Sequence, residues 1–142
     1  MGGLLAVLAT LAVATAAGFW LQRSGRRLGR RQPARAGATR ERLVEADLGG
    51  PLGERATLVQ FSSAFCQPCR ATRRVLDEVS RAVPGVAHRE VDAESNLELV
   101  RRLAVRRTPT VLVLDAAGGI VRRASGQPRK ADVIAALGEA VG

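Results

Sequence analysis

The sequence predicts an α/β domain with a central, mixed four-stranded sheet flanked by helices, preceded by one N-terminal transmembrane helix. Short apolar runs of strand length alternate with segments whose apolar residues recur at helical spacing. A tight turn, Ala116 to Gly119, joins the last two apolar runs. Residues 2–22 contain no charged side chain, and about 20 such residues are enough to span a membrane as a helix.

The predicted order of elements is β-α-β-α-β-β-α. Strands are expected at residues 57–62, 86–92, 110–115 and 120–124, and helices at 66–83, at 95–105 and from Pro128 onward. Because helices join the first three strands, these strands are expected to be parallel, whereas the tight turn makes the fourth antiparallel. Helices are expected on both faces of the sheet. Residues 43–48 give a weak indication of a short strand or turn.

Local signals refine the helices. Pro84 and Gly85 end the first helix. Ser95 and Glu98 have the spacing of a capping box at the start of the second. The apolar residues expected on the inner sides of the second and third helices are Leu97, Val100 and Leu103, and Ile134, Leu137 and Val141.

The uncharged segment is interpreted as a membrane anchor at residues 1–22. Trp20 lies at its far end, where an indole ring favours the membrane–water interface. The alternative is a cleaved secretory signal, which Ala14 and Ala16 support by their small-x-small spacing. Against it, no Lys or Arg precedes the apolar run, whereas a secretory signal normally begins with a positive region.

The formal charge of +9 is concentrated next to this segment. Residues 1–42 hold eight arginines and one acid, a net charge of +7, whereas residues 43–142 hold fourteen basic and twelve acidic groups, a net charge of +2. Residues 23–42 are therefore expected to form a basic juxtamembrane linker that stays on the cytoplasmic side and contacts anionic lipid. No aromatic residues are interleaved with the arginines, so no nucleic-acid partner is predicted.

These features predict a single-pass protein of the cell membrane, with a globular domain at residues 43–142 on the cytoplasmic side. The domain holds both cysteines of the chain, Cys66 and Cys69. One bridge closing so short a loop constrains the unfolded chain little, so a structural staple is disfavoured. A zinc site needs four ligands, and this chain offers only the two cysteines and His88, unless two chains share a site. His88 is expected to be a partly exposed sheet residue, and no metal is predicted.

The two cysteines fall where the first strand meets the first helix. Pro68 suits an early helical position, where a missing N–H is tolerated. A Cys66 thiolate at the helix start is stabilised by the helix dipole, and Arg70 adds positive potential, so Cys66 is the expected nucleophile. Cys69 lies one turn further on and is expected to be the resolving cysteine, which attacks the mixed disulfide and releases the reduced substrate.

The sequence here resembles the thioredoxin family over residues 57–142. The motifs that carry the resemblance are "FCQPC" where the family has WCGPC, "RTPT" where it has x-P-T, "ASGQ" at the end of the last strand, and "VLDEV" in the first helix. The resemblance implies a thioredoxin-like fold and a cis peptide bond before Pro109, which faces the cysteines. It also implies that the Thr108 main chain pairs with a substrate strand, with Phe65 and Gln67 beside it.

Three residues depart from the family pattern. Gln60 stands where the family carries a buried acid in the strand before the motif, and an amide cannot take up the proton of Cys69. Phe65 replaces a tryptophan and Gln67 replaces a glycine. Gln60 and Arg70 are therefore the predicted tuning residues, and proton transfer from Cys69 is expected to need water or another base.

The predicted function is a membrane-tethered thiol–disulfide oxidoreductase that reduces protein disulfides and maintains redox homeostasis. Its expected partners are disulfide-containing protein substrates, an unidentified electron donor, and the membrane, through the N-terminal helix and the basic linker. No cofactor is predicted. Two alternatives stay open: a thiol-based redox sensor or adaptor for a membrane partner, and an exported reductase if the topology is reversed.

Overall fold

The structure is a computed structural model that describes Thr15 and residues 41–142. The chain divides into two compact units, Met1–Arg31 and Gln32–Gly142, and the strands and helices given below belong to the second. The predicted membrane anchor, and the linker up to residue 40, lie outside the described residues apart from Thr15. Within the part of the chain that is described, no helix is long and apolar enough to cross a membrane.

Four strands and four helices form the domain. The strands are β1 (Ala56–Ser62), β2 (Val86–Asp92), β3 (Thr110–Asp115) and β4 (Ile120–Ser125). The helices are α1 (Glu45–Leu48), α2 (Gln67–Ala82), α3 (Leu97–Arg102) and α4 (Lys130–Val141). The sheet order is β2-β1-β3-β4. The mixed four-stranded sheet flanked by helices is confirmed, and each strand begins and ends within one residue of its predicted bounds.

The direction of β3 differs from the prediction. β1 and β2 are parallel, but β3 is antiparallel to β1 and not parallel to it. The reason lies in the connection from β2 to β3. The six residues of α3 rise only about 9 Å, which is about half the length of the neighbouring strands. The chain therefore does not return along the sheet, and β3 starts at the edge where β2 ends.

The two faces of the sheet pack against different helices. The face that we call the α1/α3 face packs against Leu48 of α1, against Leu99 of α3, and against Leu103, which directly follows α3. Its strand residues are Val59, Phe61, Val91, Leu112 and Leu114. The opposite face, which we call the α2/α4 face, follows from the period-two alternation of strand side chains. Its strand residues are Leu58, Gln60, Ser62, His88, Glu90, Val111 and Val113. Helices α2 and α4 pack against the strands on this side and against each other.

Two predicted helix details are wrong. Asn96 precedes α3, and the Ser95 hydroxyl donates to Asp92 and not to the start of the helix, so no capping box forms. In α4, Ile134 is 51% exposed, whereas Val133, Ala136 and Leu137 are buried. The helix begins at Lys130, two residues after Pro128. Apolar residues cover a wide part of the surface of α4. The side of the helix that faces the sheet is therefore rotated about the helix axis relative to the predicted inner side.

Similar corrections apply to the second helix and to residues 43–48. Leu97 is 53% exposed, and Leu99 occupies the core beside Leu103 instead. The weakly indicated strand or turn at residues 43–48 is the single helical turn α1. It is attached to the β3–β4 turn, because Leu43 donates a backbone hydrogen bond of 2.9 Å to the Gly118 carbonyl. A Cβ at Gly118 would lie 2.2 Å from the Leu43 carbonyl oxygen, so this close approach requires glycine.

Candidate active site

The two cysteines lie at the end of β1, on the edge of the sheet where β3 begins. Cys66 is the N-cap of α2 and has extended backbone angles, and its sulfur accepts a 3.2 Å hydrogen bond from the Cys69 N–H. Pro68 lies in the first turn, where the backbone N–H it lacks would have no partner within the helix. The helix start therefore directs a backbone donor and the positive end of the helix dipole at the first sulfur.

Cys66 and Cys69 are joined by a disulfide, with an S–S distance of 2.03 Å and a Cα–Cα distance of 5.2 Å. Their environments differ. Cys66 is partly exposed, whereas Cys69 is only 2% exposed and belongs to the core. An incoming sulfur can reach Cys66 but not Cys69. The geometry suits an exposed sulfur that exchanges with substrate and a covered sulfur that reacts only within the chain.

The residues flanking the pair are open to solvent. Phe65 is fully exposed and has a positive φ of 58°, which is uncommon for a bulky residue. Gln67 and Arg70 are also exposed. The rim of the site thus offers an aromatic ring, an amide and a cation to whatever approaches Cys66.

The loop before β3 contacts the loop before α2. The Thr108–Pro109 peptide bond is cis, and Pro109 is buried. The Thr108 and Ser63 hydroxyl oxygens are 2.7 Å apart, and the Pro109 carbonyl accepts a 2.7 Å bond from the Gly126 N–H. Among residues 41–142, the Thr108 main chain has no hydrogen-bond partner. The structure thus brings an unpaired main-chain segment next to the loop that holds the cysteines.

Gln60 lies on the α2/α4 face beneath Cys69 and is completely buried. Its Nε2 donates to the Cys69 carbonyl at 2.8 Å and to the Ser62 hydroxyl at 2.9 Å. Its Oε1 is buried and has no hydrogen-bond partner among the described residues. The predicted tuning residue therefore touches the main chain of the second cysteine.

Sequence reasoning missed Ser62, Ser63 and Glu90. Ser62 follows Gln60 by two residues, so the period-two alternation of a strand would have placed both on one face. Glu90 is opposite Gln60 in the β1–β2 register, which no single-strand pattern reveals. Ser63 contacts Thr108 across 45 positions of sequence, and only the folded chain brings these two residues together.

The ionised form of Glu90 is stabilised by a neighbouring charge and by hydrogen bonds. A bidentate hydrogen bond from Arg73 lowers the pKa of the Glu90 carboxyl below its usual value of 4.5, and partial burial of the carboxyl opposes this. The nearby Ser62 hydroxyl lowers the pKa of the Glu90 carboxyl further. Polar side chains therefore occupy this face of the sheet from the surface ion pair to the buried amide of Gln60.

His88 is a partly exposed residue of β2, as predicted. Its side chain is 8% exposed, and its Nδ1 lies 2.6 Å from Asp77 Oδ1 on α2. Within the described part of the chain, no group of three or more His, Cys, Asp or Glu side chains is arranged to hold a metal ion. His88 thus belongs to the packing between β2 and α2 and not to the edge that carries the cysteines.

Comparison with known proteins gives the family. The family model described as Thioredoxin matches residues 50–139, which span the sheet and both cysteines. Human "Thioredoxin domain-containing protein 2" is 40% identical over 58 residues, which are 41% of this chain and 10% of that protein. "Thioredoxin H5" from Oryza sativa subsp. japonica is 32% identical over 60 residues, 42% of this chain and 44% of that protein. The aligned segment thus spans less than half the length of either relative.

Solved structures support the fold alone. The spinach chloroplast thioredoxin f (short form) superposes with a TM-score of 0.57 at 20% identity, covering 70% of this chain and 83% of that chain. The Fasciola hepatica thioredoxin superposes with a TM-score of 0.54 at 24% identity, covering 62% of this chain and 83% of that chain. At such identities the similarity concerns the backbone architecture, and the chemistry of the site must be argued from its residues.

Proposed function

Since the chain belongs to the thioredoxin family, we propose that it is a membrane-tethered thiol–disulfide oxidoreductase that reduces protein disulfides and maintains redox homeostasis. The observation that carries this proposal is the Cys66–Cys69 pair at the start of α2, with one sulfur accessible and the other covered. A staple would need neither the difference in exposure nor a helix terminus at the exposed sulfur.

The reaction follows from this asymmetry. The Cys66 thiolate attacks one sulfur of a substrate disulfide, a new S–S bond forms between them, and the other substrate sulfur leaves as a thiolate. Cys69 then loses its proton and attacks Cys66. This step forms the Cys66–Cys69 bond and releases the second substrate sulfur as a thiolate. The substrate gains two electrons, and an external dithiol donor restores the two thiols in the protein.

Substrate contact is assigned to the two loops around the pair. The unpaired main chain of Thr108, ahead of Pro109, supports pairing with an extended substrate segment. The exposed ring of Phe65 and the amide of Gln67 flank Cys66 in sequence and offer apolar and polar contacts. The Ser63–Thr108 contact supports the two loops acting as one surface.

The membrane part of the proposal rests on the sequence. Residues 2–22 are uncharged, and the arginines follow them directly. This order favours an anchor whose following domain stays in the cytoplasm, where a reducing environment makes the pair a reductant.

Turnover with insulin as a disulfide substrate tests the enzymatic proposal. The full-length protein in detergent micelles should reduce many equivalents of insulin when a small dithiol such as dithiothreitol is supplied. A reaction that stops after one equivalent per protein would favour the redox sensor. The control is the donor without protein, because small dithiols reduce insulin slowly by themselves.

Topology mapping tests the location. Reporters fused to the C-terminus, one active only in the cytoplasm and one active only outside it, should report a cytoplasmic domain. The opposite result would favour an exported reductase, and a soluble cleaved product would favour the secretory signal.

A further inference from the structure

We propose that Gln60 is a redox-linked hydrogen-bond acceptor: its Oε1, unpartnered in the disulfide form, accepts the S–H of Cys69 when the pair is reduced. Gln60 thereby favours the dithiol and sets the reduction potential of the pair. This inference deepens the proposed function and rests on it only in that the pair cycles between disulfide and dithiol.

The orientation of the Gln60 amide is imposed by its neighbours. A carbonyl oxygen can only accept, so the atom that faces the Cys69 carbonyl at 2.8 Å must be the Nε2 amino group. The second amino hydrogen of Nε2 is directed at the Ser62 hydroxyl, at 2.9 Å. Both donor hydrogens of the amide are therefore used, and Oε1 is left without a donor.

A buried acceptor without a donor is costly, and few such groups occur in native proteins. Gln60 is completely buried, and among residues 41–142 the only unpartnered buried side-chain polar atoms are its Oε1 and His88 Nε2. The disulfide form therefore contains an unmet hydrogen-bonding requirement in the residue that contacts Cys69.

Reduction supplies one new buried donor at this place. A dithiol donor transfers two electrons and two protons: the Cys66–Cys69 bond breaks, an S–H bond forms on each cysteine, and the donor becomes a disulfide. Cys69 is 2% exposed, so its new S–H is largely shielded from water. The Cys69 carbonyl already accepts from the Gln60 amide, and the Oε1 of the same amide is a buried acceptor without a partner among the described residues.

The consequence is a difference between the two redox forms. The Nε2 bonds to Cys69 and Ser62 depend on the main chain and on β1, and they contribute to both forms. The Oε1 contact exists only in the dithiol form, and the buried oxygen without a partner destabilises the disulfide form. Replacing Gln60 with an apolar residue therefore stabilises the disulfide relative to the dithiol.

The first test is the equilibrium of the full-length protein with a dithiol/disulfide buffer. Gln60→Leu should shift the equilibrium about tenfold toward the disulfide, which corresponds to a reduction potential about 30 mV more negative. The matched control is Thr72→Val, because Thr72 is equally buried on α2 but its hydroxyl already donates to the Pro68 carbonyl at 2.9 Å. That control should destabilise both redox forms alike and leave the potential unchanged.

The second test observes the thiol directly. In Cys66→Ser the chain has one thiol, Cys69, so the S–H stretching band in the infrared spectrum reports this group alone. Adding Gln60→Leu should move the band to higher wavenumber, as expected when an S–H loses its acceptor. If Gln60→Leu does not fold, Gln60→Met keeps the side-chain length with only a weak acceptor and should give the same shift.

Three results would overturn the inference: an unchanged reduction potential, a shift of the equilibrium toward the dithiol, or an S–H band that is insensitive to residue 60. An unchanged potential or band would indicate that a water molecule satisfies Oε1. Both measurements work without a protein substrate. A wild-type protein that fails to turn over insulin but shows both shifts would defeat the proposed function and leave this inference standing.

Discussion

The α1/α3 face and the α2/α4 face belong to the same four strands but differ in chemistry. On the α1/α3 face the core cluster is aliphatic and aromatic, with Phe61 among leucines and valines. On the α2/α4 face, buried and partly buried polar side chains lie between the surface ion pair of Arg73 and Glu90 and the buried Cys69. The comparison suggests that one face mainly supplies stability and the other carries the chemistry.

This division has a physical basis. Burial of apolar surface stabilises without regard to orientation, so the α1/α3 face tolerates any well-packed aliphatic set. Polar groups on the α2/α4 face are stabilising only when each has a correctly oriented partner. Changes on one face should therefore affect the free energy of unfolding, and changes on the other the redox reaction.

The largest expected effect is on the reaction. Cys66→Ser should abolish insulin reduction, because the accessible sulfur is gone, whereas Cys69→Ser should leave Cys66 trapped as a mixed disulfide with substrate. The measurements are turnover and a non-reducing gel, with folding checked by circular dichroism. Trapping by Cys66→Ser and none by Cys69→Ser would reverse the assigned roles.

The next effect is on stability. Phe61→Ala should lower the free energy of unfolding by about 3–5 kcal/mol, because Phe61 is completely buried on the α1/α3 face. Denaturant unfolding measures the loss, and turnover per folded molecule should stay near that of the wild type. Phe65→Ala is the matched control: Phe65 is fully exposed, and stability should change by no more than about 0.5 kcal/mol. A similar loss at both positions would contradict the division between the faces.

Gln60→Asp should affect the reaction and stability together. A buried carboxylate at residue 60 is expected to have a raised pKa and to act as a general base toward Cys69, so decay of the mixed disulfide should be at least about tenfold faster. The unpaired group should also lower stability by a few kcal/mol. The decay rate between about pH 6 and about pH 9, compared with the wild type, measures the effect. Equal rates at every pH in two folded proteins would show that residue 60 does not limit proton transfer.

The smallest effect concerns acid stability. The lowered pKa of Glu90 means that its ionised form is stabilised by folding. Its contribution is fully present above the unfolded value near 4.5 and is lost as pH falls through the lower folded value. Glu90→Gln should therefore flatten the acid side of the stability profile, by no more than about 1 kcal/mol, since the pair is partly exposed. Urea unfolding at several acidic pH values measures this, with the exposed Glu94→Gln as control.

Much of the architecture could be predicted from sequence. The apolar runs located β1 and β3 to within one residue, because a strand buried on a sheet reads as a short continuous apolar segment. The spacing of Cys66, Pro68 and Cys69 indicated a redox pair at a helix start, since this chemistry depends on neighbours three residues apart and on the helix terminus they create. These features are local, so the sequence alone determined them.

What the tertiary structure decided is non-local. The antiparallel direction of β3 follows from the shortness of α3, and the inner side of α4 follows from its contact with the sheet. Likewise, the contact of Ser63 with Thr108, the position of Glu90 opposite Gln60 and the unpartnered Oε1 depend on strand register and loop packing. A sequence specifies which side chains are available, but hydrogen-bond partners are decided only when strands distant in the chain are brought side by side, because these bonds form over about 3 Å and depend on direction.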